Sequence, residues 1–182
     1  YGVSERYLNV YGEKDLRAQM NQFFHRTYTH PVDGTTLDMK MLCNWYWYDE
    51  TAILETGKGT KDWNFYRYAE TLLSAAEAIA QSSGVNAEAA GYLAQVKARA
   101  NMEGKDVSTI ASELQRLGKQ AFIEECWKER LREFPLEMKI WDDCVRTGKF
   151  PQISATNKGE VQFVDLIGAT NGSGAKFKET DL

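Results

Sequence analysis

Apolar residues recur every three to four positions between about residues 62 and 100, which is the spacing of amphipathic helices. We predict one helix that Asp62 caps and Gly84 ends, followed by a second helix that Asn86 caps. The inward-facing positions of the two helices are Tyr68, Leu72, Ala75, Ala76, Ile79, Ala89, Leu93, Val96 and Ala100. The short link and the many alanines predict an antiparallel, closely packed pair of the tetratricopeptide type.

The helical pattern continues to about residue 148. A third helix is predicted over about residues 108–134, running through Gly118, and Pro135 should end or kink it. A fourth, shorter helix is predicted over about residues 137–146, with Gly148 closing its carboxyl end.

The first 60 residues have a mixed pattern. Residues 13–24 carry apolar side chains at helical spacing and predict a short amphipathic helix, whereas residues 30–34 have the composition of a turn. Residues 39–48 are rich in aromatics, lack Gly and Pro, and predict a strand. Alternation along that strand would place Cys43, Trp45 and Trp47 on one face and Asn44, Tyr46 and Tyr48 on the other.

Beyond residue 149 the chain has no period and accumulates Gly, Asn, Ser and Thr, with one short strand predicted over residues 161–167. The predicted fold class is therefore mainly α, with loop-rich segments at residues 1–60 and 149–182 and a few short strands. We predict a single domain over residues 1–182, built around a helical core at about residues 62–148.

Composition excludes several classes of function. The 182 residues are 43% hydrophobic and carry a net charge of −4, so there is no basic stripe for nucleic acid. No apolar run approaches the roughly 20 residues that a membrane-spanning helix needs. The three cysteines, Cys43, Cys126 and Cys144, lack the spacing of a metal site, and we predict neither a metal nor another cofactor.

Catalytic constellations are absent from the sequence. The two histidines, His25 and His30, straddle a turn and have no metal-ligand or nucleophile at a suitable spacing. The adjacent acids Asp142 and Asp143 point about 100° apart on a helix, so they do not face one glycosidic bond together. We therefore predict no catalytic residue.

Three carboxylates differ from the other acids because they lie along one helical face beside an arginine. They are Glu129, Glu133 and Glu137, with Arg130 next to the first. Ion pairs with Arg67 or Arg99 of a neighbouring helix would make this group structural, and a catalytic role is the less favoured alternative.

The aromatic residues near position 45 have two interpretations. Packing in the core explains at least half of them if they lie on a strand. The other interpretation is a sugar platform, because the C–H face of a pyranose stacks on an exposed indole or phenol ring. On that argument the predicted glycan-binding residues are Asn44, Trp45, Trp47 and Tyr48.

Three separated motifs lie between residues 15 and 150. The first is Asp15-Leu16-Arg17. The second is Tyr66-Arg67-Tyr68-Ala69-Glu70-Thr71-Leu72-Leu73-Ser74-Ala75-Ala76-Glu77-Ala78, followed by Lys97-Ala98-Arg99-Ala100. The third is Glu129-Arg130-Leu131-Arg132-Glu133-Phe134-Pro135-Leu136-Glu137, continued by Trp141-Asp142-Asp143-Cys144-Val145-Arg146-Thr147-Gly148-Lys149. In this order they resemble the SusD/RagB family, glycan-capturing lipoproteins of the Bacteroidetes cell surface.

Some positions depart from the family pattern. Met138 stands where the family commonly has Gly, Ile140 where it has Arg, and Lys97 where it has another Arg, while Pro135 is unusual. These residues lie at helix ends and ion pairs, so the departures bear on local geometry more than on membership.

The resemblance implies a SusD-like helical fold and places this chain in the central-to-C-terminal portion of a longer protein. That protein would be an outer-membrane lipoprotein, held by a lipid anchor that lies outside this chain. It would bind oligosaccharides and deliver them to a SusC-like TonB-dependent transporter, without catalysis and without nucleic acid. The motif residues would be structural: Asp15, Arg17, Arg67, Glu70, Glu77, Arg99, Glu129, Arg130, Glu133, Glu137, Trp141, Asp143 and Arg146.

Two other functions remain open at the level of the sequence. A helical-repeat module that binds another protein through the hairpin of residues 62–101 is the main alternative. A glycan hydrolase is the other, and the acids described above give it little support.

Overall fold

The computed structural model describes residues 2–181. The helices are α1 (Tyr68–Ser83), α2 (Ala87–Ala100), α3 (Val107–Leu114), α4 (Lys119–Glu133) and α5 (Ile140–Thr147). The strands are β1 (Gly2–Val3), β2 (Phe24–Thr29), β3 (Thr36–Asn44), β4 (Lys149–Ile153) and β5 (Val161–Asp165). Short 3-10 segments lie at Glu5–Val10, Leu16–Ala18, Trp45–Trp47 and Glu179–Asp181, and a π-helical turn lies at Ala52–Thr56. The predicted domain limits at residues 1 and 182 lie outside the described residues.

The main hydrophobic core lies among α1, α2, α3 and α4. Its buried side chains include Leu73, Ala76, Leu93 and Phe122, all of which are fully shielded from solvent. The alanines on α1 and α2 leave space for the two helices to approach, as the sequence predicted. The predicted cap of the second helix is also confirmed, because the Asn86 side chain accepts a hydrogen bond from the backbone N–H of Ala89 at 2.9 Å.

A second, smaller core joins the sheet to α4. The sheet is antiparallel with the order β1-β3-β2, and β4 and β5 form a separate antiparallel hairpin. Tyr11 and Phe24 pack against Leu131 of α4 and Val161 of β5. The Tyr11 hydroxyl donates to the Arg132 carbonyl at 2.9 Å, which satisfies a polar group inside this core.

The predicted helix over residues 13–24 is wrong. Only Leu16–Ala18 forms a 3-10 turn, and β2 begins at Phe24. Asp15 accepts from the Arg17 backbone N–H at 3.0 Å and binds its guanidinium, while Phe24 pairs with Asn44 of β3. These tertiary contacts outweigh the local helical pattern.

Two helix boundaries also differ from the prediction. Asp62 caps nothing, because α1 begins six residues later at Tyr68. The single helix predicted over residues 108–134 is broken into α3 and α4, since Gly118 is extended (ψ 157°) and occupies the N-cap position of α4. The predicted break before Pro135 is confirmed, because α4 ends at Glu133.

The strand predicted over residues 39–48 exists but ends at Asn44. Residues Trp45–Trp47 form a 3-10 turn, so the predicted alternation of Trp45 and Trp47 against Tyr46 and Tyr48 is wrong. The predicted turn at residues 30–34 is confirmed as the connection between β2 and β3. The strand at residues 149–153 was not predicted, and its partner β5 agrees with the strand predicted at 161–167.

Candidate functional site

The charged residues of the three motifs form two groups of ion pairs. The larger group, which we call the ion-pair network, is centred on the carboxylates of Glu129 and Glu133. Glu133 is fully buried, and it pairs with Arg17 at 3.1 Å, with Arg67 at 2.8 Å and with Arg99. Three guanidinium groups around one carboxylate satisfy the charge that burial has taken out of water.

Glu129 has a similar surrounding one helical turn earlier. Its carboxylate pairs with Arg17 at 2.8 Å and with Arg132 at 3.2 Å, and Lys97 lies at 3.7 Å. Burial by itself raises the pKa of this carboxyl, but the three cations outweigh it and hold the pKa of Glu129 well below the ordinary value. Glu129 is therefore a permanent anion at neutral pH, with the character of a structural group rather than of a proton carrier.

Asp15 joins the ion-pair network through Arg17 at 2.7 Å. The other motif residues form a second group, which shares no ion pair with the network among the described residues: Arg130–Asp143 (2.6 Å), Arg130–Glu70 (3.5 Å), Arg146–Glu77 (2.7 Å) and Arg146–Asp143 (3.1 Å). Because the carboxylates of both groups are engaged by arginines, neither group offers a free acid in position for catalysis. The ion pairs that the sequence suggested between Glu133 or Glu137 and Arg67 are present.

Arg67 connects the network to the loop between α4 and α5. It binds Glu137 through two hydrogen bonds of 2.9 and 2.7 Å, and it donates to the Glu133 carbonyl at 2.8 Å. This two-pronged geometry fixes orientation as well as distance. It holds the loop 134–139 against the start of α1.

That loop has an unusual backbone. Leu136 and Met138 are both left-handed, with φ of 60° and 61°, a conformation that costs a residue with a Cβ about 1–2 kcal/mol. Two side chains from the 3-10 turn region secure it: the Asn44 amide donates to the Pro135 carbonyl at 3.0 Å, and the Trp47 indole donates to the Leu136 carbonyl at 3.2 Å. Strained backbone that is held this firmly is often found at ligand-binding sites.

The loop forms one wall of a cleft of about 740 Å³, which we call the aromatic cleft. Its lining residues are Trp47, Trp63, Leu136, Met138, Ile140, Trp141 and Asp142. Trp63 is 57% exposed and Trp141 is 43% exposed, while Trp47 meets Trp63 edge to face with ring centroids 5.0 Å apart. Three indoles around a concave surface with one carboxylate give flat apolar faces and a hydrogen-bond acceptor.

Of the four predicted glycan-binding residues, Trp47 lies in the aromatic cleft. Asn44 is 5% exposed, and both polar atoms of its side-chain amide are hydrogen-bonded. The amide nitrogen donates to the Pro135 carbonyl, and the amide oxygen accepts from the Tyr46 backbone N–H at 2.7 Å. These contacts are with the protein itself and leave little of the side chain for a ligand, and a ligand-binding role for Asn44 stays a prediction.

Trp45 does not line the aromatic cleft, and its role in glycan binding stays a prediction. Its ring is stacked on His25 with centroids 3.9 Å apart and on Tyr48 with centroids 4.5 Å apart, and both rings are nearly parallel to it. Two rings so close cannot lie side by side over one indole, so they cover its opposite faces. Tyr48 is half-buried in the same stack and remains a predicted contact that nothing here tests.

Sequence reasoning missed Trp63 and assigned Trp141 only to the scaffold. Trp63 lies in a stretch with no periodicity and is followed by Phe65, Tyr66 and Tyr68, and this run of aromatic residues is the signal that could have identified it. Trp141 is the second residue of α5, which starts after the left-handed loop, and it lines the same cleft as Trp47 and Trp63.

Other reactive groups give no second chemistry. Burial raises the pKa of the Cys144 thiol to about 11, and burial likewise raises the pKa of Cys126, so neither is a thiolate at neutral pH. Residues 2–181 contain no group of three or more His, Cys, Asp and Glu side chains arranged to hold a metal ion. Within the same residues, no helix is long and apolar enough to span a bilayer.

Comparisons with known proteins agree with the motif resemblance. The family model described as "SusD family" matches residues 9–176. The fold is similar to the crystal structure of a SusD superfamily protein from Parabacteroides distasonis ATCC 8503, with a TM-score of 0.80 and 26% sequence identity. The match covers 99% of this chain but 37% of that one, so the chain spans little more than a third of its relative. No curated protein matches the chain significantly.

Proposed function

The chain belongs to the SusD family, and from that premise we propose that it contributes the saccharide-binding surface of a glycan-capture protein. The helix-dominated fold is SusD-like, as the sequence predicted. The aromatic cleft is the observation that carries the proposal. Sugar sites combine exposed aromatic rings with a small number of polar groups, and this cleft has three indoles and the Asp142 carboxylate.

In this proposal the protein binds and does not catalyse. Hydrolysis of a glycosidic bond needs two carboxyl groups facing each other across the bond. The aromatic cleft is lined by one carboxylate, that of Asp142. The acids of the ion-pair network are buried with arginine partners, so they are unsuited to serve a substrate.

Calorimetry of the purified chain against a panel of soluble oligosaccharides tests the proposal. We expect at least one glycan to bind, and Trp63→Ala and Trp141→Ala each to weaken its binding about twofold to tenfold, since a stacked aromatic contributes about 0.5–1.5 kcal/mol. Trp45→Ala is the matched control, because both faces of that indole are covered by protein. Absence of binding to every glycan, or equal loss in all three variants, would overturn the assignment of the cleft.

The delivery step is proposed on the same premise. A surface lipoprotein of this family would pass its ligand to a SusC-like TonB-dependent transporter, and its lipid anchor would lie outside this chain. The test is co-purification of the full-length protein from its native outer membrane with a TonB-dependent transporter. Recovery of the protein without any such transporter under mild detergent would contradict the partnership.

A protein-binding module is the second candidate. Phe65, Tyr66 and Tyr68 at the start of α1 are each 70–72% exposed, and large exposed aromatics are typical of protein interfaces. If this is the main function, Tyr68→Ala should abolish capture of a protein partner while glycan binding is absent. The exposed ring of Tyr68 makes the variant structurally neutral, so a loss would report on binding.

A further inference from the structure

A second cleft adjoins the aromatic cleft. This polar groove has a volume of about 620 Å³ and runs between α1 and α5, where its lining includes Tyr66, Thr71, Ser74, Lys139, Asp142 and Arg146. Asp142 lines both clefts. The two volumes therefore meet at one carboxylate, with three indoles on one side of it and hydroxyl-bearing residues on the other.

The charges in the polar groove are almost all compensated. Arg146 pairs with Glu77 at 2.7 Å, and Lys139 pairs with Glu70 at 3.2 Å. The exception is Asp142, which is exposed and whose carboxylate has no ion pair or side-chain hydrogen bond with any residue in 2–181. A ligand in this groove therefore meets one uncompensated negative charge and no uncompensated positive charge.

The groove also offers uncharged groups for hydrogen bonding. Thr71 is exposed on the face of α1 that lines the groove, and its hydroxyl bonds to no described residue. The Tyr66 ring is held under Lys139, with the ammonium 4.6 Å from the ring centroid, and its hydroxyl is likewise uncommitted within residues 2–181. Along α1 the lining extends from Glu70 to Gln81, about 16 Å at the helical rise.

We propose that the polar groove is the second half of one extended saccharide site, which takes a neutral oligosaccharide and receives its sugar hydroxyl groups at Asp142, Thr71 and Tyr66. One end of the ligand stacks in the aromatic cleft, and the rest lies along α1. Acidic glycans are disfavoured, because a uronate or sulfate would face the Asp142 carboxylate without a free cation. The proposal rests on the proposed function and names the ligand class of its site.

The experiment uses calorimetry with the full 182-residue chain. The probes are disaccharides and hexasaccharides of α-1,4-glucan, β-1,4-glucan, β-1,4-mannan and β-1,4-xylan, together with hexagalacturonate as the acidic hexamer. We expect at least one neutral hexamer to bind more tightly than its own dimer and at least tenfold more tightly than hexagalacturonate. Thr71→Val should weaken that hexamer about threefold to tenfold and leave the dimer unchanged, as loss of one hydrogen bond predicts.

Two further variants complete the design. Asp142→Asn should narrow the preference for the neutral hexamer over the acidic one, whereas Glu88→Gln, an exposed acid on α2 that lines neither cleft, should change nothing. Three results would overturn this inference and leave the proposed function standing. They are equal affinity for a hexamer and its dimer, an unaltered preference in Asp142→Asn, and binding of the acidic hexamer as tight as that of the neutral ones. If no probe binds at all, the proposed function fails and this inference fails with it.

Discussion

The ion-pair network and the aromatic cleft lie side by side, but they differ in burial and in how their charges are compensated. The network buries the carboxylates of Glu129 and Glu133 completely and surrounds them with arginines and a lysine, whereas the cleft exposes two of its three indoles and is lined by one uncompensated acid. A buried charge is tolerated only when its partners are fixed, so the network makes the fold specific. An exposed aromatic surface contributes little to folding and leaves its area available to a ligand.

The two regions are joined at Glu137. Arg67 and Glu137 hold the loop 134–139, and this loop in turn carries Leu136 and Met138 into the wall of the cleft. The residues that identify the family therefore hold in place the residues that we propose to bind the ligand. Four expectations separate the two roles, ordered from the largest effect to the smallest.

Replacement of Glu133 by Gln should have the largest effect on folding. The change removes the buried anion that Arg17 and Arg67 share, and loss of one partner of a buried pair costs about 3–5 kcal/mol. Arg17 keeps Asp15 and Glu129, and Arg67 keeps Glu137, so we expect a loss at the lower end of that range, about 3 kcal/mol. Urea unfolding followed by circular dichroism measures it. The control is Glu13→Gln, whose distant and exposed pair with Lys158 should contribute nothing measurable.

A pH titration should show that the network depends on ionised Glu129. Its pKa in the folded chain lies well below the ordinary value of 4.5, so its contribution to stability is present above about pH 4.5 and is lost as the pH falls further. We expect the free energy of unfolding to decline below that pH in the parent chain and to decline less steeply in Glu129→Gln. Identical slopes in the two proteins would show that this carboxyl does not carry the effect.

Truncation of Trp45 should mainly lower the stability of the fold, whereas truncation of Trp63 should mainly weaken glycan binding. Trp45→Ala removes the middle ring of the His25–Trp45–Tyr48 stack and should lower the free energy of unfolding by about 2 kcal/mol. Trp63→Ala removes a 57% exposed ring and should change stability by less than about 0.5 kcal/mol. Unfolding curves and glycan affinities of both variants test this expectation. A larger loss of stability in Trp63→Ala than in Trp45→Ala would contradict the roles that we give to the two rings.

The smallest expected effect is at Met138, the left-handed residue that stands where the family commonly has Gly. Met138→Gly relieves the backbone strain at φ 61° and loses little burial, because the side chain is 68% exposed, so we expect a gain of up to about 1 kcal/mol. The freed loop should bind glycan more weakly. A variant that is both less stable and equally tight in binding would contradict the role we give to the loop.

Local sequence signals identified the helices well where the signal was repeated. The Asn86 cap, the Gly148 stop and the rest of the apolar stripes of α1 and α2 are properties of a few neighbouring residues, and they are present as predicted. Tyr68 is the exception: it was predicted to face inward, but at the first position of α1 it is 72% exposed. Gly118 shows the limit of such signals. A glycine inside a helical pattern is compatible with a continuous helix or with a break, and packing of α3 against α2 decided for the break.

The first 60 residues were predicted less well, because their structure depends on distant partners. Arg17 is drawn toward Glu129 and Glu133, which are more than 100 residues away, and this contact ends the local helical pattern of residues 13–24. Trp45 and Trp47 were treated alike in the sequence, yet one is stacked between two rings and the other lines the cleft. The 3-10 turn that separates them is fixed by the Asn44 amide, which binds Pro135.

The sequence by itself therefore determined the family, the helical class, the helix ends at Asn86 and Gly148, and the pairing of Glu133 and Glu137 with Arg67. These follow from short-range periodicity and from charges that have to be compensated once they are buried. Only the tertiary structure decided which aromatic rings remain exposed and that Trp47, Trp63 and Trp141 share one cleft. The reason is physical: the exposure of a ring depends on which distant residues cover its faces, and that information lies in the packing of the whole chain.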